Sequence, residues 1–141
     1  MALWQAEHTL DTSADPEEVW RQLVDVHNWP EWDAGLTWAE LAGPFGAGAR
    51  GRMKIRGEGT QVFRLVAVEA NRTFTAAVRL PLAVIRHTHN QEPSDMGTRM
   101  THRVEIAGPL AWLYGLTRGR RLRDGLAPGL RSLARIASHK Q

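Results

Sequence analysis

Between Leu36 and Ala107 the chain carries no helical period. It breaks instead into six strand-length segments, 36–42, 48–57, 59–69, 72–80, 83–91 and 97–107. Turn residues separate them: Gly43-Pro44, Gly57-Glu58-Gly59, Ala70-Asn71, Pro81 and Pro93-Ser94-Asp95. Connections this short cannot carry a crossover, so neighbouring strands must run antiparallel, as a meander. In the segment 48–57, Gly51, Met53 and Ile55 alternate with Arg50, Arg52, Lys54 and Arg56. One face of the sheet is therefore core, and the other is wet and basic. A seventh strand precedes the meander at 3–12, with Trp4, Ala6, His8 and Leu10 on one face and Gln5, Glu7, Thr9 and Asp11 on the other.

Helices bracket this sheet. Asp15-Pro16-Glu17-Glu18 supplies an N-cap, a first-turn proline and a capping-box glutamate, and Val19, Trp20, Leu23 and Val24 give the helix an apolar stripe. Asn28-Trp29-Pro30 ends it, because the residue before a proline is pushed out of the helical region. Residues 30–35 read as a second short helix closed by Gly35. The last segment, Pro109 to about His139, places Leu122, Leu126, Leu130, Leu133 and Ala137 at helical spacing. Extended backward, that stripe meets Gly119 and Gly115, so the helix becomes small where an enclosing sheet would face it. Gly125, Pro128 and Gly129 predict a kink or break at 125–129.

With 141 residues and no repeat, the chain reads as one domain, 1–141. No apolar run is long enough to span a bilayer and no signal-like start is present, which predicts a soluble cytoplasmic protein. The absence of Cys excludes disulfide scaffolds, thiolate metal sites and cysteine nucleophiles. Chemistry must then come from His, carboxylates, Arg or Tyr114. Charge is uneven: residues 1–40 hold nine acidic groups against Arg21, whereas 41–141 hold 17 basic against six acidic. Gly46-Ala47-Gly48-Ala49-Arg50-Gly51 matches a phosphate-binding glycine pattern by letter, but a strand follows it where that fingerprint needs a helix.

The opening Ala14-Asp15-Pro16-Glu17-Glu18-Val19-Trp20, with Leu23-Val24-Asp25 and Trp29-Pro30-Glu31-Trp32, resembles the START-like (SRPBCC) superfamily, the polyketide cyclase/dehydrase and lipid-transport group. Gly97-Thr98-Arg99-Met100-Thr101 and Ile106-Ala107-Gly108-Pro109-Leu110 extend the likeness over essentially the whole chain. The resemblance implies an α+β helix-grip fold: a seven-stranded antiparallel sheet of order 1-7-6-5-4-3-2 curled around a long C-terminal helix, with two short helices after the first strand and an apolar cavity between sheet and helix.

That order makes the sixth, seventh and first strands neighbours. A turn centred between Ser94 and Asp95 sets His87 opposite His102 and His89 opposite Met100, and any register of the same parity keeps them on one face. His8 joins them from the first strand, so four of the six His are expected on the concave face. The other expected ligand-binding residues are Trp38, Met53, Phe63, Phe74, Val78, Met100, Tyr114 and Arg118. His87, His102 and Tyr114 are the candidates for catalysis. Histidines at i and i+2 with a cross-strand third can meet a metal's geometry, but no carboxylate is placed to join them, and neither metal nor cofactor is expected.

Three functions fit. The first is binding of a small apolar ligand (lipid, isoprenoid or aromatic polyketide-like) between sheet and helix. The second is a polyketide cyclase or dehydratase-type enzyme in which an inward His acts as general acid or base. The third is an interaction protein using its basic outer face, where Arg118, Arg120, Arg121 and Arg123 would add to the strand residues. The expected partners are thus a small apolar ligand and weak contact with an anionic membrane surface, without specific nucleic acid, for the stacking aromatics of single-strand binders are missing. A monomer and a homodimer both remain open.

Overall fold

A computed structural model describes residues 2–139, apart from the side chains of Ala2 and Leu3. The first strand, β1 (Ala2–Thr12), leads into helix α1 (Pro16–Val24) and a 3-10 helix (Val26–Glu31). Six strands follow: β2 (Leu36–Ala42), β3 (Arg50–Ile55), β4 (Thr60–Glu69), β5 (Thr73–Leu80), β6 (Ala83–Pro93) and β7 (Thr98–Ala107). Two helices, α2 (Ala111–Asp124) and α3 (Leu126–His139), complete the chain. The strands form a single antiparallel sheet of order β1-β7-β6-β5-β4-β3-β2, the helix-grip topology.

The helical connection after β1 differs from its sequence reading. α1 ends at Val24, since Asp25 leaves the helical region at φ −85° and ψ 73°. Asn28 then donates to the Asp25 carboxylate at 2.6 Å and starts the 3-10 turn that holds Pro30. The Glu18 carboxylate pairs with Arg21, and the Asp15 carbonyl accepts the Glu18 and Val19 amides.

The C-terminal helical segment is divided, as the glycines and proline suggest, and the break falls at Gly125. Pro128 lies in the first turn of α3, where its missing N–H has no helical partner to lose, and so it causes no second kink. Gly115 and Gly119 lie against the indole of Trp4 on β1. A Cβ at Gly119 would stand 2.8 Å from that ring and one at Gly115 3.0 Å. The small stripe therefore lets α2 lie flat on β1, while Leu126, Leu130, Leu133 and Ala137 of α3 are buried in the core.

One hydrophobic cluster joins sheet and helices. Its centre is aromatic: Trp29 of the 3-10 helix stacks on Phe63 at 5.3 Å and on Phe74 at 6.1 Å between ring centres, and its indole N–H donates to the Leu23 carbonyl at 2.8 Å. Gly51 makes room for this stack, because a Cβ there would come within 2.2 Å of the Phe63 ring. On the outer face three arginines are paired with acids across strands, Arg52 with Glu40, Arg99 with Asp11 and Arg103 with Glu7.

Candidate functional site

Strand parity delivers the histidines to one face. His8 lies opposite His102, His102 opposite His89, and His89 opposite Phe74, so a row of side chains crosses β1, β7, β6 and β5 on the inner side of the sheet. The register is two residues away from the expected one: His87 faces Val104, and Gln91 faces Met100. The cause is the turn. Ser94 and Gly97 exchange backbone hydrogen bonds at 3.1 Å, which centres the hairpin between Asp95 and Met96, one residue later than the proline suggested. Because the slip is even, the face is unchanged.

The ring centres of His87 and His102 are 5.8 Å apart, and those of His89 and His102 6.3 Å. His89 also stacks on Phe74 at 6.1 Å with its plane tilted by only 19°, so the histidines continue the aromatic wall of the core. Burial pushes the pKa of His87 and of His89 down from 6.5 to about 4, in His89 against a small opposing effect of the Gln91 side chain beside it. His102 lies well below its ordinary value as well, first through burial and then through the neighbouring charges of His87 and His89. All three are therefore neutral imidazoles at neutral pH.

A neutral imidazole has one donor and one acceptor nitrogen. In His89, 2% exposed, Nε2 is buried without a hydrogen-bond partner among the described residues, and so is the Gln91 side-chain oxygen, while the Gln91 amide nitrogen donates to the Pro16 carbonyl at 2.7 Å. A buried unpaired polar atom costs roughly 1–3 kcal/mol, which a bound hydrogen-bonding group would recover. His87, His102 and His8 keep part of their surface accessible on the same inner face. Among the described residues no three His, Asp or Glu side chains are arranged to hold a metal ion.

The remaining expected site residues divide by position. Met53, Phe63, Phe74, Val78 and Met100 are inner-face side chains, and all are buried in the core. Trp38 is not brought to that face. A bulge at Thr37 pairs Trp38 with Lys54, while its neighbour Ala39 pairs with Met53 on the inner side. Tyr114 and Arg118 sit on the half-buried side of α2, with their polar groups engaged at the strand ends: the Tyr114 hydroxyl donates to the Pro81 carbonyl at 3.1 Å, and Arg118 pairs with Glu58 at 3.3 Å while lying over the Tyr114 ring. Arg121 joins the same carboxylate at 2.7 Å. These contacts tie α2 to the β5–β6 and β3–β4 turns.

Sequence reading missed Gln91 and Glu58. Gln91 could have been found from the i, i+2 spacing that puts it with His87 and His89; Glu58, in a Gly-Glu-Gly turn, carries no signal of its helical partner.

A recess of about 800 Å³ lies elsewhere, between Asp15-Pro16-Glu17, Asn71-Arg72 and Gln91-Glu92-Pro93. It is open to solvent at the edge of the sheet and holds none of the histidines, so its size alone does not make it the site.

No curated protein matches this chain. Solved structures share its fold at low identity. Protein TTHA0849 from Thermus thermophilus is 15% identical with a TM-score of 0.76, covering 98% of this chain and 99% of that one. Protein MLL2253 from Mesorhizobium loti is 20% identical with a TM-score of 0.71, covering 98% and 99%. The di-domain ARO/CYC StfQ from the steffimycin biosynthetic pathway is 14% identical with a TM-score of 0.76, covering 96% of this chain and 51% of StfQ. A family model described as polyketide cyclase/dehydrase and lipid transport matches residues 4–137. The chain belongs to the polyketide cyclase/dehydrase and lipid-transport family.

Proposed function

We propose that the protein binds a small apolar ligand, of lipid, isoprenoid or aromatic polyketide-like character, between the concave face of the sheet and α2, and that it acts in the cytoplasm. The observation that carries this reading is the histidine row, in which the buried Nε2 of His89 lacks a partner among the described residues at the edge of an aromatic wall. Apolar contact supplies the affinity of such sites, and a few converging polar groups set the orientation. Here the neutral imidazoles of His87, His89 and His102 would hydrogen-bond one hydroxyl or carbonyl of the ligand without an ionic charge having to be buried. Family membership supports the same reading.

The test is an organic extract of freshly purified protein, analysed by mass spectrometry beside an extract of His89→Leu. A co-purifying apolar molecule bearing one oxygen function, depleted in the variant, is the expected result. Reproducibly empty protein from several expression hosts, together with no binding of any apolar probe, would refute the proposal.

A second reading is an enzyme of the cyclase or dehydratase kind. It is favoured by the paired His87 and His102 rings and by the likeness to StfQ. With its pKa lowered to about 4, the His87 imidazole is a weak base at neutral pH, and burial lowers His102 as well, which places binding first. His102→Gln separates the two: turnover of a polyketide-like substrate falls while binding persists if the enzyme reading is right.

A further inference from the structure

The outward side of α2 is not a solvated polar face. Trp112 is 58% exposed and Leu116 78%, one turn apart, with Leu113 beside them. Leu82 at the β5–β6 turn is 64% exposed and adopts a left-handed backbone at φ 58°, which a leucine reaches only under strain. The Leu82 carbonyl accepts the Leu110 amide at 3.0 Å, and Tyr114 is bonded to Pro81, so the turn and the start of α2 form one rigid apolar prominence. The later turns of the same outward side carry Arg120 and Arg123, both exposed; helix α2 holds four arginines and one acidic residue, Asp124 at its end.

We propose that this prominence docks the protein on an anionic lipid bilayer, with Leu82, Trp112, Leu113 and Leu116 in the headgroup–acyl boundary and Arg120 and Arg123 on lipid phosphates. A tryptophan and leucines on one helical side followed by arginines is the composition of interfacial helices. Within α2, Arg118 and Arg121 share Glu58 and Arg123 lies 3.8 Å from Asp124, whereas among the described residues Arg120 has no acidic partner. The charge favours a bilayer over a second copy of the chain: a copy would bring the same excess of positive charge to the contact, whereas an anionic surface neutralises it.

Co-flotation of the full chain with vesicles tests this. Phosphatidylcholine–phosphatidylglycerol vesicles should carry the protein, with binding weakened by salt, and phosphatidylcholine vesicles should carry little. Arg120→Gln with Arg123→Gln should lower partitioning about thirty-fold. Trp112→Ala with Leu116→Ala should lower it by more than about tenfold. All four positions are exposed, and thermal melts verify that the variants fold. Equal partitioning to neutral and anionic vesicles, no flotation of the natural chain, or a dimer in sedimentation that the same substitutions dissolve would each overturn the proposal.

Discussion

Lowering the pH is the sharpest perturbation for the histidine row. His89 is 2% exposed, and burial holds its pKa at about 4, while in the unfolded chain it titrates near 6.5. At about pH 7.5 both states carry a neutral imidazole, so the residue contributes nothing to pH dependence there. At about pH 5 the unfolded chain binds nearly a full proton at this position and the folded chain about a tenth of one, and the difference amounts to about 2 kcal/mol of lost stability. The sign follows from the depressed native value: stability is full above the unfolded pKa and declines as the pH falls through 6.5 toward 4. His87 and His102 push in the same direction. Against a total of roughly 5–15 kcal/mol for a domain of this size, the loss is large. Urea titrations between about pH 7.5 and pH 5 would measure it, with His89→Leu as control, whose decline should be smaller by about 2 kcal/mol. Equal stability at both pH values, or an identical decline in His89→Leu, would show that His89 is not a buried neutral imidazole.

Two substitutions test the helix placement. Gly119→Ala forces a Cβ to within 2.8 Å of the Trp4 indole and should destabilise the fold by about 1–3 kcal/mol in thermal or urea unfolding, and an unchanged midpoint would mean that α2 does not lie on β1. Pro128→Ala, in the first turn of α3, should change stability by less than about 0.5 kcal/mol; a gain near the roughly 3 kcal/mol typical of removing a mid-helix proline would mean that α2 and α3 are one helix.

The sheet is legible in the sequence because its core face repeats every second residue, and parity survives a register error of two residues. Alternation puts His8, His87, His89 and His102 on one face even when the turn between β6 and β7 is centred one residue early. Pro93 suggests that centre, but the Ser94–Gly97 bonding moves it to Asp95-Met96. Trp38 shows where parity fails: a bulge at Thr37 reverses the pattern by one residue, and alternation alone does not reveal it. The glycine stripe of α2 is readable as a close approach, but its partner, Trp4, is not, since the spacing does not say which strand the stripe meets. The polar engagements of Tyr114 and Arg118 are hidden, since they end on Pro81 and Glu58, turn residues distant in sequence.

The central claim is that the histidine row meets an apolar ligand through one polar group. Histidine Cε1 NMR resonances followed during addition of 2-naphthol, an aromatic probe with a single hydroxyl, test it most directly. Saturable shifts at His87, His89 and His102, with the exposed His27 and His139 unmoved, are the expected result. Shifts confined to His27 and His139, or no saturable change at any histidine, would contradict it.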